Sequence, residues 1–298
     1  MAHGAREIRR RIASIQSTQQ ITKAMEMVAA ARLRRSQGRV LSARPFADKL
    51  HAVLARAVAA VDASRYRHPL LEAPEPHRPP LYVVITADRG LAGPYNANVI
   101  RYAVNLREQH PEMGVVVVGR RGRDAFQRLG WELEGVFLHL GDEVPFSAAQ
   151  EIARLVSQAF MDGRYASVHL VYNAFVNTVT HPTVEVTLLP IETAAQAAEV
   201  GDGGSGEPEE TVEAYLYEPS PQAVLDILLP RFVDVAVYQA LLEAKTSEFA
   251  SRMTAMKNAS ENAQELIREL TLSLNRARQA GITTEITEIV GGAEALAE

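Results

Sequence analysis

Along the last third of the chain, core-type positions recur at spacings that alternate between three and four. The series runs from Phe232 through Val235, Gln239, Leu242, Thr246, Phe249, Met253, Met256, Ser260, Ala263, Ile267, Leu270, Leu274, Ala277, Gly281 and Thr284 to Glu288, eight heptads in one register. That period predicts a helix with a coiled-coil seam. At 1.5 Å per residue, Pro221 to Glu288 spans roughly 100 Å, more than an α/β domain of this size can bury, so the helix needs a partner. A second helix is predicted from about Ala5 to Val61, rich in Ala, Arg, Met, Leu and Gln, with Pro45 as its one proline. Its apolar stripe reads Ile8, Ile12, Ile15, Ile21, Met25 and Val28. Two helices that flank one insert and meet at its base run antiparallel. If pairing starts near residues 57 and 222, residue 25 lies opposite residue 254, and the first helix runs out near residue 275. Beyond that point Ala277, Gly281, Thr284 and Glu288 are too small and polar for a helix to stand alone in water, so another molecule is expected around it.

Between the helices the period changes. Five prolines in "RHPLLEAPEPHRPP", residues 67 to 80, end the first helix. Short β-branched runs follow: "LYVVITA" from 81, "VVVVG" at 115 to 119, "VHLVY" at 168 to 172 and "TVEVTLLPI" at 183 to 191. They alternate with helical stretches near 95–109, 121–129 and 146–162, which predicts a parallel or mixed sheet covered by helices. "AAEVGDGGSGEPEE", residues 197 to 210, is acidic and glycine-rich and reads as a loop. The expected class is α/β: a long antiparallel coiled coil of N- and C-terminal helices with an inserted Rossmann-like α/β domain. The expected segments are a helix over 1–62, a linker over 63–80, the α/β domain over 81–192, an acidic loop and foot strand over 193–219, and the second helix over 220–298.

Composition changes the picture in three ways. There is no cysteine, which excludes disulfides, thiolate metal sites and thiol catalysis. The basic start has no signal-peptide core and no apolar run approaches a bilayer span, so a cytoplasmic or peripheral protein is expected. The net charge of −5 is unevenly spread. Residues 1 to 59 hold twelve Arg and Lys against Glu7, Glu26 and Asp48, a balance of +9, whereas residues 221 to 298 balance at −4. A nucleic-acid arm is poorly supported, because Phe46 is the only aromatic in the basic segment and base stacking needs more.

Candidate chemistry is sparse. "VVITADRGLAGPYNANVIR", residues 83 to 101, resembles a phosphate loop at first sight, but Gly90 and Gly93 lack the G-x-G-x-x-G spacing. No lysine lies between Lys49 and Lys245, so the Walker lysine and Schiff-base chemistry are missing from the α/β segment. Pro94 suits the first helical position, with Asn96 or Asn98 in the first turn, and Asp88 and Arg89 are expected to pair with each other or cap that helix. "GDGGSGE" lacks the nucleophile-elbow spacing. The histidines stand singly, without metal-ligand spacing, and His139 and His169 are placed in strands. Catalytic, cofactor and metal residues are therefore expected to be none. Pattern alone leaves open an α/β enzyme with helical appendages and a passive coiled-coil scaffold or nucleic-acid binder.

Two stretches narrow this. "IQSTQQITKAMEMVAAARLRRSQ" at 15 to 37 and "NRARQAGITTEITEIVGGAEAL" at 275 to 296 closely resemble the two signature ends of the gamma subunits of bacterial F-type ATP synthases. "TADRGLAGPYNANVI" and "YLYEPSP" resemble that family's central segments, so the likeness covers nearly the whole chain. The resemblance implies a rotor shaft whose C-terminal tip enters a hexamer of alpha and beta subunits, in a 3:3:1 complex, while its base and α/β domain rest on the membrane ring of c subunits and hold epsilon. Carried onto matching positions, it implies that Arg278 and Gln279 meet a catch loop of beta, with Thr283 and Glu288 nearby. Met25 and Arg252 would meet the acidic lever loop of beta, and Tyr215, Tyr217 and Glu218 would face the c ring. It implies no cofactor, no nucleic acid, and a peripheral place on the cytoplasmic side of a bacterial membrane.

Departures from the family pattern carry expectations of their own. Ala92 stands where the family commonly has cysteine, and Pro94 where it has glycine. The cysteine pair of the chloroplast thiol switch is missing. Pro230 falls where the family continues a helix, and a bend is expected there.

Overall fold

The computed structural model describes residues 2–61, 66–72, 77–191, 217, 218 and 220–295, without the side chains of residues 2–5, 285, 288 and 291–295. The expected acidic loop of 197–210 and Tyr215 lie outside the described residues. In chain order the elements are α1 (Ala2–Ala59), β1 (Pro80–Ile85), α2 (Tyr95–Gln109), β2 (Gly114–Val118), α3 (Arg120–Arg128), β3 (Gly135–Phe137), α4 (Phe146–Met161), β4 (Ser167–Asn173), β5 (Thr183–Leu189) and α5 (Pro221–Ala295). They form two compact units, one of residues 32–251 and one of 1–31 with 252–298.

The larger unit is built on a five-stranded sheet of order β3-β2-β1-β4-β5. β1 to β4 are parallel, and β5 turns back antiparallel to β4, so the sheet is mixed. β1 from Leu81 onward and all of β2 are buried, as expected of central strands whose apolar run is continuous rather than alternating. β3 is missing from the sequence reading because three residues are too few to show a period. On one face α2 and α3 lay Val99, Ala103, Leu106 and Phe126 against Tyr82, Val84, Val115 and Val117. On the other face Ile152, Val156 and Phe160 of α4, Leu54 and Ala57 of α1, and Leu225, Leu229, Val233 and Val237 of α5 share one core with Leu81, Val83, Val116 and Leu170. Parts of both long helices thus complete the α/β layer.

Within this unit α1 and α5 run antiparallel. Ser36 Oγ lies 2.6 Å from Thr246 Oγ1, and the His51 ring meets Phe232 edge-on at 4.7 Å. The expected register put residue 36 opposite 243 and residue 51 opposite 228. The observed offset is three to four residues, about one helical turn. Ser220 starts α5, its hydroxyl accepting from Ala223 N at 3.2 Å, with Pro221 at the first helical position. Pro230 does not interrupt α5. It is exposed and removes one helical N–H donor.

In the smaller unit the α5 seam follows the expected period: Met256, Ser260 and Ala263 are buried, and Ile267, Leu270, Leu274, Ala277, Gly281 and Thr284 are half-buried. The α1 stripe needs correction. Ile8, Ile12 and Ile15 are half-buried, but the seam continues through Gln19, Thr22 and Glu26 to Ala29. Ile21 and Val28, expected inside, are 58% and 52% exposed.

Candidate functional site

A ligand site in an open α/β sheet belongs at the carboxyl ends of the strands, where the strand order reverses. Here that point lies between β1 and β4. The pocket at this edge lies instead over the ends of β1 and β2, lined by Ile85, Thr86, Asp88, Val118 and Gly119 and by Leu241, Ala244, Lys245 and Glu248 of α5, and measures about 30 Å³. That volume holds a water molecule; a nucleotide needs some hundreds of Å³. Lys245 is held there in a 2.9 Å pair with Glu248, its Nζ 5.4 Å from the Phe249 ring centre.

The loop of residues 86 to 94 is occupied in the same way. Asp88 caps α3 rather than α2: its Oδ1 accepts from Arg120 N at 3.0 Å and its Oδ2 from His139 N at 3.1 Å. Asn96 holds the loop, accepting from Ala87 N at 2.9 Å. Pro94 precedes the first helical residue by one place. His139 sits just past β3 in irregular chain with φ of 59°, not in a strand, whereas His169 lies in β4 as expected. Among the described residues no cluster of three His, Asp or Glu offers a metal site.

The smaller unit presents a different surface. Its helices close on few large apolar side chains, Met256 being the one buried apart from alanines among the described residues. A polar groove of about 540 Å³ opens between them, lined by Gln19, Gln20, Lys23, Ala24, Glu26 and Met27 on α1 and by Lys257, Ser260, Glu261 and Gln264 on α5. Lys23 pairs with Glu26 at 3.0 Å, and Lys257 with Glu261 at 4.0 Å. Away from the groove, Ile21 and Val28 on α1 and Leu266, Leu272, Ile282, Ile286, Ile289 and Val290 on α5 are exposed. The seam is thin, with apolar side chains mostly half-buried, and several large apolar side chains meet solvent beside it.

The site residues fall into this frame as follows. Arg278 and Gln279 are exposed, and Thr283 is exposed with its hydroxyl donating to the Gln279 carbonyl at 3.0 Å. Glu288 belongs to α5, its side chain outside the described set. Met25 is half-buried and Arg252 buried. The groove sets residue 25 level with about residue 258, so Arg252 lies roughly 9 Å away along the axis instead of opposite. Tyr217 packs on the main core and Glu218 is exposed, while Tyr215 lies outside the described residues. Sequence reading missed Ile282, Ile286, Ile289 and Val290. Their spacing of four, three and one marks a second stripe beside the seam, and that signal was available.

A family model described as ATP synthase matches residues 4–296. The chain is 50% identical over 293 residues to the ATP synthase gamma chain of Heliobacterium modesticaldum, covering 98% of this chain and 99% of that one. The chain belongs to the ATP synthase gamma chain family. A relative from Moorella thermoacetica is 48% identical over 297 residues, covering 99% and 100% of the two chains. Among solved structures, the central stalk and c ring of Tetrahymena thermophila mitochondrial ATP synthase contains a chain of 27% identity, with a TM-score of 0.60 over 80% of this chain and 99% of that one. A chain of the Euglena gracilis mitochondrial enzyme, at 22% identity, TM-score 0.67, and 99% and 95% coverage, shares the fold. The expected architecture agrees with these members: a mixed α/β sheet between two long helices.

Proposed function

We propose that the chain is the central-stalk rotor subunit of a proton-translocating F-type ATP synthase. It transmits torque from a c ring to a catalytic alpha/beta hexamer, regulates ATP hydrolysis there and has no active site of its own. The observation that carries this reading, with the family membership, is the helical pair of residues 1–31 and 252–298. Its polar groove and outward isoleucines suit a rod enclosed by other subunits. A sleeve of partners would remove Ile282, Ile286 and Ile289 from water, and the thin core would let the rod turn without a deep lock to one orientation.

Torque then acts by population shift. Three chemically identical beta subunits meet different sides of an asymmetric rod, so the rod's angle decides which of them favours tight nucleotide binding. Chemistry stays in the partners. In this reading Arg278 and Gln279 engage a catch loop of beta, with Thr283 and Glu288 beside them. Met25 and Arg252 span about 9 Å of an acidic lever loop, with the basic N-terminal segment supplying complementary charge. Tyr215, Tyr217 and Glu218 form the foot on the c ring, and the α/β domain holds epsilon. The segments 1–62 and 220–298 serve as shaft, 81–192 as the rotor body, and 63–80 and 193–219 as its connections. No described helix is long and apolar enough to cross a membrane, so attachment to the cytoplasmic face of a bacterial membrane would run through the complex.

Co-expression with alpha and beta subunits, followed by native mass spectrometry, tests the assembly. A 3:3:1 complex with ATPase activity is expected; a chain that stays alone would overturn the reading. Changing Arg278 and Gln279 together to Ala is expected to lower ATPase at least several-fold in that complex without unfolding this chain. Unchanged activity would remove them from the catch.

A further inference from the structure

α3 carries more positive charge than its place in the fold requires. Four of its nine residues are arginines, Arg120, Arg121, Arg123 and Arg128, against one acid, Asp124. Three of them stand in the first turn, where the helix dipole is already positive, and α3 itself has no acid in that turn, Asp88 at its N-terminus being the carboxylate that meets it. Gly122 and Phe126 fix α3 to the sheet, while Arg120, Arg121 and Arg128 are exposed. Burial therefore explains none of these exposed cations, and their crowding opposes helix formation.

The charge offered to a partner is side-chain charge. Every N–H of the first turn is taken within the chain: Arg120 N by Asp88 Oδ1, Arg121 N by the Ala87 carbonyl, Gly122 N by Thr86 Oγ1 and Arg123 N by the Gly119 carbonyl. The helix end is thus no backbone cradle for phosphate. Asp124 is engaged as well: Arg123 Nη2 donates to it at 2.6 Å, and this bond, backed by Arg120 and Arg128, holds its carboxyl below the usual carboxylate range. Nor is an aromatic face open for a base. Trp131 stacks on Phe126 at 4.6 Å, and Arg107 lies 5.3 Å over its ring. Arg128 Nε donates to the Asp124 carbonyl at 3.0 Å and the Arg121 guanidinium lies against Gly90, yet Arg120, Arg121 and Arg128 stay exposed, and the best complement of such planar forks is a row of carboxylates.

We propose that the arginine face of α3 docks an acidic polypeptide segment of a neighbouring subunit in the assembled complex, an inference that rests on the rotor reading. The test replaces Arg120, Arg121 and Arg128 together by Lys, which keeps the charge and supplies amines for zero-length carbodiimide coupling to carboxylates. In the complex assembled with this variant, cross-linked peptides joining positions 120, 121 or 128 to Asp or Glu of another subunit are expected. Their yield should fall at least fivefold in about 1 M salt, where the Debye length is about 3 Å. Replacing the same three by Glu should weaken retention of that subunit about tenfold while the melting temperature of the isolated chain does not fall. An assembled complex without such cross-links, or with cross-links only to this chain's own carboxylates, would overturn the inference and leave the rotor reading standing. Arginine-dependent binding of the complex to phosphatidylglycerol vesicles, with no cross-link to protein, would overturn it too. Failure of the unsubstituted chain to assemble would overturn both.

Discussion

Ser247 and Thr246 are neighbours in α5, both fully buried, with opposite fates. Thr246 donates to the Leu242 carbonyl at 2.7 Å and lies 2.6 Å from Ser36 Oγ, whereas the Ser247 hydroxyl has no partner. A buried hydroxyl without a partner costs about 1–3 kcal/mol, so Ser247→Ala is expected to stabilise the chain by about 1 kcal/mol in denaturant unfolding. A loss of stability would show that the hydroxyl is satisfied. Glu243 supplies a pH signature. Burial pushes its carboxyl up, against the nearby charge of Arg44 and a hydrogen bond from the Tyr172 hydroxyl. Its folded-state pKa is raised, so its stabilising contribution is complete below about pH 4.5 and is lost as pH rises through the folded value. Glu243→Gln should therefore be more stable than the unsubstituted chain at pH 7.5 and lose that advantage near pH 4. An advantage unchanged with pH would contradict the shift.

At the scale of elements, the turn from β2 into α3 depends on Gly119. Its φ is 91°, and a Cβ there would meet the Thr86 carbonyl oxygen at 2.2 Å. Gly119→Ala is expected to cost about 3 kcal/mol or more, read as a lowered melting temperature, because backbone strain and overlap add. A loss below 1 kcal/mol would mean the strand end yields easily. The elements themselves were largely legible in sequence. The α5 seam could be read because small and polar residues such as Ser260 and Gly281 still keep the three-four period between larger ones. α1 misled for a physical reason: a count of apolar residues assumes that they face inward, and Ile21 and Val28 face out while Gln19 and Glu26 take the seam. The one-turn error in helix register arose from anchoring the pair at its base, since sequence period fixes which face pairs but not the axial offset. Asp88 was recognised as a cap, but the helix it caps comes two elements later, and no local spacing encodes that.

For the whole molecule, function rests on what surrounds the smaller unit. Substituting Ile282, Ile286 and Ile289 together by Ser should leave unfolding of the isolated chain within about 0.5 kcal/mol, as expected at exposed positions. It should also lower ATPase in the assembled complex several-fold. The reverse pattern, lost stability with full activity, would mean the stripe packs within this chain. The central claim is rotation, and single-molecule observation tests it most directly. The chain has no cysteine, so Val136→Cys on the exposed edge strand gives one attachment point for a probe. With the beta subunits fixed to a surface and ATP supplied, the probe should turn in one direction with three equal steps per revolution. ATP hydrolysis by the complex while the probe stays still would contradict the account.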